Sequence, residues 1–254
     1  MTSEELRIIW KKEESAARIE GWDFSHIQNR YEEEDSLPWD YRTIINEFLN
    51  EDMKLLDTDT GGGEFLLSLR HPFTNTAATE GYPPNVRLCR ERLLPLGIDL
   101  RECTDCTHVP FADGSFDMII NRHGDFYPPE IIRLLRPGGI FITQQVGSEN
   151  DRDLVETVLP GLEKPFPWNN LIEQRQAFSQ SGFEIIRAEE AFGRIRFFDI
   201  GAFVWFAHII EWEFPGFSVD RCFDSLVSLH RAIERSGRIE GNTHRFLIAA
   251  KKPG

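Results

Sequence analysis

Residues 53–69, MKLLDTDTGGGEFLLSL, pass from an apolar run through three successive glycines into a helix-forming segment. Met53–Thr58 reads as a short strand, Gly61-Gly62-Gly63 as the turn, and Glu64–Leu69 as the start of a helix. Glycines at such a junction let the backbone approach a ligand closely and leave amide N–H groups exposed at the helix start. Thr76–Glu80 (TAATE) reads as the next strand and ends on a carboxylate about twenty residues further on, where an acid can accept both hydroxyls of a ribose. As a strand-end acid, Glu80 is expected to support little packing of its own.

The same grammar continues outward. Pro83–Leu96 reads as a helix with Pro84 tolerated in its first turn, and Ile98–Cys103 as a third strand. Phe116–Asn121 (FDMIIN) is a fourth strand, Pro128–Leu135 a helix and Gly139–Val146 (GIFITQQV) a fifth strand. Trp168–Ser181 is a helix closed by Gly182, and Phe183–Ala188 a sixth strand. Strands alternating with helices imply a parallel sheet with right-handed crossovers. After Phe192 the alternation stops. Asp199–Trp212 and Val219–Ser236 have helical patterns, and His244–Lys251 (HRFLIAAK) is a last strand. The division expected is an N-terminal helical segment over 1–49, a ligand-binding core over 50–192, a helical insertion or lid over 193–240, and the final core strand in 241–254. Within the N-terminal segment, Pro38 breaks the pattern, Trp39–Leu49 reads as a helix, and the acid run Glu32–Asp35 is expected to be a solvated surface.

Composition narrows the function. A chain of 254 residues with 41% hydrophobic content can bury a sizeable core. Its 42 acidic against 28 basic residues leave a formal charge of −14, the opposite of the basic footprint that neutralises nucleic-acid phosphates. The opening MTSEELRIIWKKEES does not read as a secretion signal, and no stretch approaches the ~18 apolar residues that would span a bilayer. A cytoplasmic location with no membrane association is the expectation. Cys89, Cys103, Cys106 and Cys222 are too few for a disulfide scaffold. Cys103 and Cys106 form a CxxC without a second pair, so free thiols are expected rather than a metal site.

Two further stretches resemble one family. Residues 105–117, DCTHVPFADGSFD, resemble the D-x-x-x-L-P-F-x-D-x-S-F-D stretch of class I S-adenosylmethionine-dependent methyltransferases, and Leu134-Leu135-Arg136-Pro137-Gly138-Gly139 resembles the L-x-P-G-G turn before their fifth strand. The resemblance covers roughly Met53–Val146 plus the last strand, and the flanks GWDFSHIQNRYEEE and INRHGDF look like an uncharacterised bacterial subgroup. It implies an α/β fold with a Rossmann-like seven-stranded, mostly parallel sheet and helices on both faces, flanked by the N-terminal segment and the late insertion. It also implies S-adenosyl-L-methionine as cofactor and roles for particular residues. Asp57, Gly61 and Gly63 would shape the methionine pocket. Glu80 would hold the ribose hydroxyls, with Gly81 and Tyr82 in the adjacent turn. Asp105 would accept from the adenine amino group beside the Cys106 amide, and Asn121 would end the fourth strand near the sulfonium. Arg122 and His123 would face the acceptor, His123 either as a base or as an orienting group.

The family pattern D-x-G-x-G-x-G has glycine where Asp59 stands. Asp tolerates unusual backbone angles, so the turn can form, and the Asp59 carboxylate would then lie near the cofactor's carboxylate or reach its ammonium. Transfer to a small molecule is the leading reading. RNA methylation, disfavoured by the −14 charge, and a cofactor-binding protein without catalysis are the alternatives. A dehydrogenase would want Gly-x-Gly-x-x-Gly, which Gly61-Gly62-Gly63-Glu64 fits poorly. The strand-four end Asn121-Arg122-His123-Gly124 is not the Asn-Pro-Pro-Tyr motif of amino-methylating enzymes of adenine and glutamine. Phe197, Phe198, Phe203, Trp205, Phe206, Trp212 and Phe214 are expected mainly in the core, with an acceptor pocket wall as the other use, and Trp22, Tyr31 and Trp39 carry the same two readings. The acceptor and the oligomeric state are not legible.

Overall fold

Alternation along the strands decides which side chains meet which helices. The computed structural model describes residues 1–18, 23–34 and 36–254. Its strands are β1 (Tyr31–Glu33), β2 (Leu55–Thr58), β3 (Thr76–Glu80), β4 (Asp99–Glu102), β5 (Phe116–Arg122), β6 (Leu135–Val146), β7 (Glu184–Phe197) and β8 (Ile239–Lys251). They form one sheet in the order β1-β7-β8-β6-β5-β2-β3-β4. Neighbours from β6 to β4 are parallel, whereas β8 is antiparallel to both β6 and β7, and β1 is antiparallel to β7. The α/β Rossmann-like reading holds, with one strand more than expected.

Leu55, Met118, Ile120, Ile142, Leu247 and Ala249 point to one side of the sheet. There they meet α2 (Tyr41–Phe48), α3 (Glu64–Ser68) and α4 (Pro83–Arg92) through Ile44, Ile45, Leu66 and Cys89. The intervening residues Leu56, Ile119, Phe141, Phe246 and Ile248 point the other way, onto α5 (Pro128–Leu134) and α7 (Leu171–Gln180) through Ile131, Leu134 and Phe178. Such two-sided cover is what the near-continuous apolar runs of parallel strands require.

A third cluster joins α1 (Ser3–Ala16), α6 (Arg152–Val158), α8 (Ile200–Ile209) and α9 (Phe223–Ser236) to the far ends of β7 and β8. α8 is buried nearly all round, from Ile200 to Ile209, which explains its apolar sequence. Asp199 caps it by accepting from the Ala202 N–H at 2.9 Å, and also binds Arg30 at 2.7 Å. α1 starts with a Thr2–Glu5 capping box and turns Leu6 and Trp10 inward. Residues from the N-terminal segment and from the late insertion thus share one core.

The extra strand lies in the segment read as helical. β7 runs nine residues beyond Ala188, to Phe197, and its tail pairs Tyr31 with Phe197 and Glu33 with Ile195. The acid run is accordingly not a solvated face. Glu33 pairs with Arg245 at 2.5 Å and Glu34 with Arg196 at 2.5 Å, and both acids are half-buried. Asp35 and Trp22 lie outside the described residues. α6 had no counterpart in the sequence reading. No helix among the described residues is long and apolar enough to cross a membrane.

Candidate active site

The strand order reverses between β2 and β5, and ligands of open α/β sheets bind in the crevice outside the carboxyl ends of the strands at that point. The glycine turn lies there. Thr60 donates its N–H to the Thr79 carbonyl at 3.0 Å, and Gly63 to the Thr60 carbonyl at 3.2 Å. Gly63 has φ +78° and its missing Cβ would fall 2.8 Å from a Leu93 methyl, so both angle and space demand glycine.

Glu80 organises this turn. Its Oε2 accepts the Gly61 N–H at 2.8 Å, and its Oε1 accepts the Gly81 and Tyr82 N–H groups, each at 2.8 Å. The residue is buried. The expectation that it supports little structure is therefore corrected: one carboxylate ties the β2 loop to the β3 end. At Gly81 an added Cβ would lie 2.4 Å from the Cys103 carbonyl oxygen, so the β3 and β4 ends pass in close contact.

Asp57 and Asp59 complete an acidic corner. Asp57 is buried and accepts the Thr60 hydroxyl at 2.6 Å. Burial pushes its pKa up to about 7, against the Thr60 hydrogen bond and with help from the charges of Asp59 and Glu80. Burial and Glu80 likewise raise Asp59 to about 7. Asp59 adopts φ 52°, the left-handed angle that the usual glycine would take. Its Oδ2 accepts the Asp125 N–H at 2.9 Å, and a Cβ on Gly124 would collide with Asp59 Cβ at 2.4 Å. The side chain thus reaches across to the loop after β5, an arrangement neither expected reading included.

Asn121 lies at the centre of a polar layer. It is fully buried and borders neither of the cavities described below. Its Nδ2 donates to the Thr58 hydroxyl at 3.0 Å, and its Oδ1 accepts from Gln145 Nε2 at 2.6 Å and from Thr143 at 3.3 Å. The register Thr58–Asn121–Thr143 across β2, β5 and β6 makes this layer. Asn121 does end the fourth strand, as expected, and its amide is engaged by protein partners that lock the strand ends together.

His123 belongs to a second network. Trp39 Nε1 donates to Gln144 Oε1 at 2.9 Å, which orients the Gln144 amide so that its Nε2 donates to His123 Nε2 at 3.2 Å. The imidazole proton is thereby assigned to Nδ1. Burial, with the Arg245 and Arg122 cations adding, pushes the His123 pKa down to about 3. A ring whose free lone pair is engaged and whose basicity is this low is a poor proton acceptor. Both features speak against the base reading and for that of an orienting group presenting an Nδ1–H. Tyr41 reinforces the same edge, its hydroxyl donating to the Asn121 and Ile142 carbonyls at 2.9 and 3.1 Å.

Two adjoining cavities use these residues. The smaller, about 420 Å³, is bordered by Glu80, Gly81, Tyr82, Cys103, Asp105 and Cys106. Asp105 is exposed, and its Oδ1 accepts the Thr107 N–H at 2.9 Å and hydroxyl at 2.6 Å, bonds that hold its pKa below the usual range. Burial pushes the Cys106 thiol up to about 11. The larger cleft, about 1740 Å³, is bordered by Asp57, Asp59, Gly61, Arg122 and His123, with Trp39 and Tyr41 on its wall. Arg122 is exposed, its guanidinium 5.4 Å from the Phe65 ring centre. Gly63 borders neither space. Of the late aromatics, Phe197, Phe203, Trp205 and Phe214 are core, Phe206 and Trp212 border the cleft, and Phe198 is exposed.

Tyr41, Gln144 and Gln145 were not singled out from sequence as site residues, whereas Trp39 was read as core or acceptor-pocket wall and lies on the cleft. A signal existed: GIFITQQV ends an apolar strand in two amides, and polar groups at such a buried end need assigned partners.

Comparison with known proteins agrees with this geometry. Residues 56–143 match the methyltransferase domain family. The phthiotriol/phenolphthiotriol dimycocerosates methyltransferase of Mycobacterium tuberculosis is 32% identical over 88 residues, 32% of each chain. The sterol 4-C-methyltransferase of Caenorhabditis elegans is 29% identical over 115 residues, 41% of this chain and 34% of that one. The chain thus spans about a third of the length of these curated relatives. A methyltransferase-like structure from Bacillus halodurans C-125 superposes with TM-score 0.58 at 15% identity, covering 85% of this chain and 99% of that one. A functionally unknown protein from Deinococcus radiodurans R1 superposes with TM-score 0.60 at 14% identity, covering 87% and 90%. These two likenesses speak to the fold. Motif order and strand order agree with the family match: the segment 56–143, about a third of the chain, is similar to a methyltransferase domain.

Proposed function

We propose that the protein is a methyltransferase that takes S-adenosyl-L-methionine into the smaller cavity and the glycine turn and transfers its methyl group to a small molecule in the larger cleft. The observation that carries this reading is Glu80, a buried carboxylate fixed by three backbone N–H groups at the wall of a cavity that opens beside the turn. The acidic corner supports it: Asp57, Asp59 and Glu80 repel one another there, and a ligand bearing a sulfonium and an ammonium relieves that repulsion.

In this reading Glu80 accepts the ribose hydroxyls with its remaining lone pairs. Asp57 and the Gly61 backbone border the methionine part, and Asp105 and the Cys106 amide meet the adenine edge. When bound, the cofactor supplies an electrophilic methyl on sulfur. The chain's own contribution is alignment, since displacement at that carbon depends on placing the acceptor in line. His123, held by Gln144, offers its Nδ1–H to the acceptor, and Arg122 borders the same space.

The small-molecule reading rests on charge. The larger cleft is bordered by ten carboxylic acids against four arginines, which opposes a phosphate backbone. The relatives whose names specify lipid or sterol methylation agree with a small acceptor. The reason for a non-catalytic binder was Asp59, and that residue takes the turn's required angle while facing Asp125. Four free cysteines agree with a reducing compartment, and the cytoplasm is the location we propose.

Calorimetric titration with S-adenosylmethionine, S-adenosylhomocysteine and NAD tests the cofactor. Saturable binding of the first two and not the third is expected, followed by methyl transfer in an extract of metabolites. Failure to bind either sulfur compound overturns the reading.

A further inference from the structure

On the larger cleft, past the end of β6, two buried or half-buried acids lack the partners that the others have, apart from Asp125, which is exposed to solvent. Glu33, Glu34 and Glu64 are paired with Arg245, Arg196 and Arg92. Asp40 caps α2 through the Thr43 N–H, Asp23 accepts the Ser25 N–H, and Asp57 and Asp59 have the partners given above. Asp151 is only 1% exposed, borders the cleft, and leaves its Oδ1 without a hydrogen-bond partner; its Oδ2 accepts from Asn150 at 2.7 Å. Its backbone is fixed, since its N–H donates to the Asn242 carbonyl at 2.8 Å. Glu213 is half-buried on the same cleft and makes no side-chain hydrogen bond among the described residues.

The nearby cations act on them through charge, Arg245 on both and Arg152 on Glu213, but neither makes a hydrogen bond or ion pair with them. Arg245 directs its guanidinium to Glu33, to Asn150 Oδ1 at 2.6 Å and to the His244 carbonyl at 3.0 Å. Arg152 gives its Nη2 to the Leu162 carbonyl at 2.7 Å and does not border the cleft. A buried carboxyl oxygen without a donor is a rare and costly arrangement in a folded chain. The same cleft is bordered by Phe206, Ile210 and Trp212, in the stretch of chain that leads to Glu213.

We infer that the methyl acceptor carries a cationic nitrogen on an apolar body, the nitrogen seated against Asp151 and Glu213 and the body against Phe206, Ile210 and Trp212. The word acceptor rests on the methyltransferase reading; the preference for a cation does not. The site selects by charge: an ammonium supplies the donor that Asp151 Oδ1 lacks, an alcohol supplies a weaker one, and a carboxylate is repelled. An aromatic wall adds attraction for the same cation. Burial raises Asp151 well above the usual carboxylate range and Glu213 to about 7, shifts that a bound cation reverses.

The test compares 4-phenylbutylamine, 4-phenylbutanol and 4-phenylbutanoate by calorimetry at pH 8 on the full chain, with S-adenosylhomocysteine titrated in parallel. The amine should bind at least tenfold more tightly than the alcohol, and the carboxylate most weakly. Glu213→Gln and Asp151→Asn should each cut the amine affinity about fivefold or more and leave the alcohol unchanged. Asparagine suits the left-handed angle at 151 (φ 54°), and Glu213→Gln alone decides the matter if the first variant does not fold. Equal affinity for amine and alcohol, no measurable amine binding, or an amine preference that survives Glu213→Gln overturns the inference. Binding of S-adenosylhomocysteine without an amine preference overturns it while sparing the methyltransferase reading. An amine preference without S-adenosylhomocysteine binding sinks that reading and leaves a cation site.

Discussion

Replacing Glu80 by alanine withdraws one carboxylate from three N–H groups, and these do not lose equally. The Gly61 N–H is buried and has no other acceptor, so it becomes an orphan costing about 1–3 kcal/mol. The Gly81 and Tyr82 N–H groups lie nearer solvent, and each loses a charge-assisted bond worth ~1 kcal/mol after water competes. Against this, Asp57 and Asp59 are relieved of a neighbouring charge. The net expectation is a ligand-free protein less stable by about 2–4 kcal/mol, or roughly 5–12 °C in Tm for a domain of this size. Urea unfolding followed by circular dichroism, without cofactor, measures it. Glu80→Gln should recover about half of the loss, because one amide oxygen can serve the Gly81 and Tyr82 donors while its NH₂ opposes the Gly61 N–H. The same variants should bind S-adenosylhomocysteine at least tenfold more weakly. An alanine variant within about 0.5 kcal/mol of the parent in the absence of ligand would refute the claim that Glu80 builds the turn, whatever happened to affinity.

Other consequences follow from the same geometry. Asp57 titrates near 7 in the folded chain and near 3.9 unfolded. The folded state therefore holds more protons across this window, and Asp57 should contribute a fall in ligand-free stability of about 2–4 kcal/mol as pH rises from 4 to 7, with Asp59 and Glu213, which burial also raises to about 7, acting in the same direction. Chemical denaturation at pH 5, 6, 7 and 8 reads this slope, and Asp57→Asn should make it shallower. For His123, turnover should show no inflection near 6.5, and His123→Asn should raise the acceptor KM more than it lowers kcat; a rate rising through pH 6.5 that the variant abolishes would restore the base. Asp59→Gly should keep cofactor affinity equal or higher while speeding hydrogen exchange at Asp125, whose N–H loses its acceptor; unchanged exchange would contradict the observed tie. Tyr41→Phe should cost about 1–2 kcal/mol by stripping two strand-end carbonyls of their donor, measured by the same urea titration.

What was legible in the sequence is the part governed by local rules. Thr76–Glu80 is a strand with the boundaries expected for it, and the turn glycines and Glu80 fall at one strand edge because strand, turn and helix follow one another directly. What was not legible depends on partners remote in the chain. Tyr31–Glu33 is three residues inside an acid run, too short to show alternation, and becomes a strand only because β7 extends to offer Phe197 and because Arg196 and Arg245 neutralise Glu34 and Glu33. His123 was placed at the correct strand end, but its tautomer is set by a tryptophan 84 residues earlier acting through Gln144. Asn121 shows the converse: position suggested contact with ligand, whereas register with Thr58 and Thr143 gives its amide four protein partners.

The two halves of the site obey different constraints, and this explains why one was readable and the other was not. The cofactor side is built from backbone: Gly61 and Gly81 amides, the left-handed turn, and one carboxylate that holds them. Backbone geometry leaves a signature in sequence, since few residues tolerate those angles and contacts. The opposite side is built from side chains carried by three separate stretches, Trp39 and Tyr41 before the core, Asp151 after β6, and Phe206 to Glu213 after β7. No spacing rule links such residues; Trp39 and Tyr41 are placed by the core under α2, whereas the shared core of α1, α6, α8 and α9 against the tails of β7 and β8 places Asp151 and the 206–213 stretch. A substitution in that core, such as Phe203→Ala, should therefore lower stability by about 3–5 kcal/mol and weaken amine binding in the cleft, while S-adenosylhomocysteine affinity measured well below the unfolding transition stays within about threefold of the parent, since sites without shared contacts behave additively. Equal losses of both ligands would mean that the two halves form one cooperative unit, and the division argued from their construction would fall.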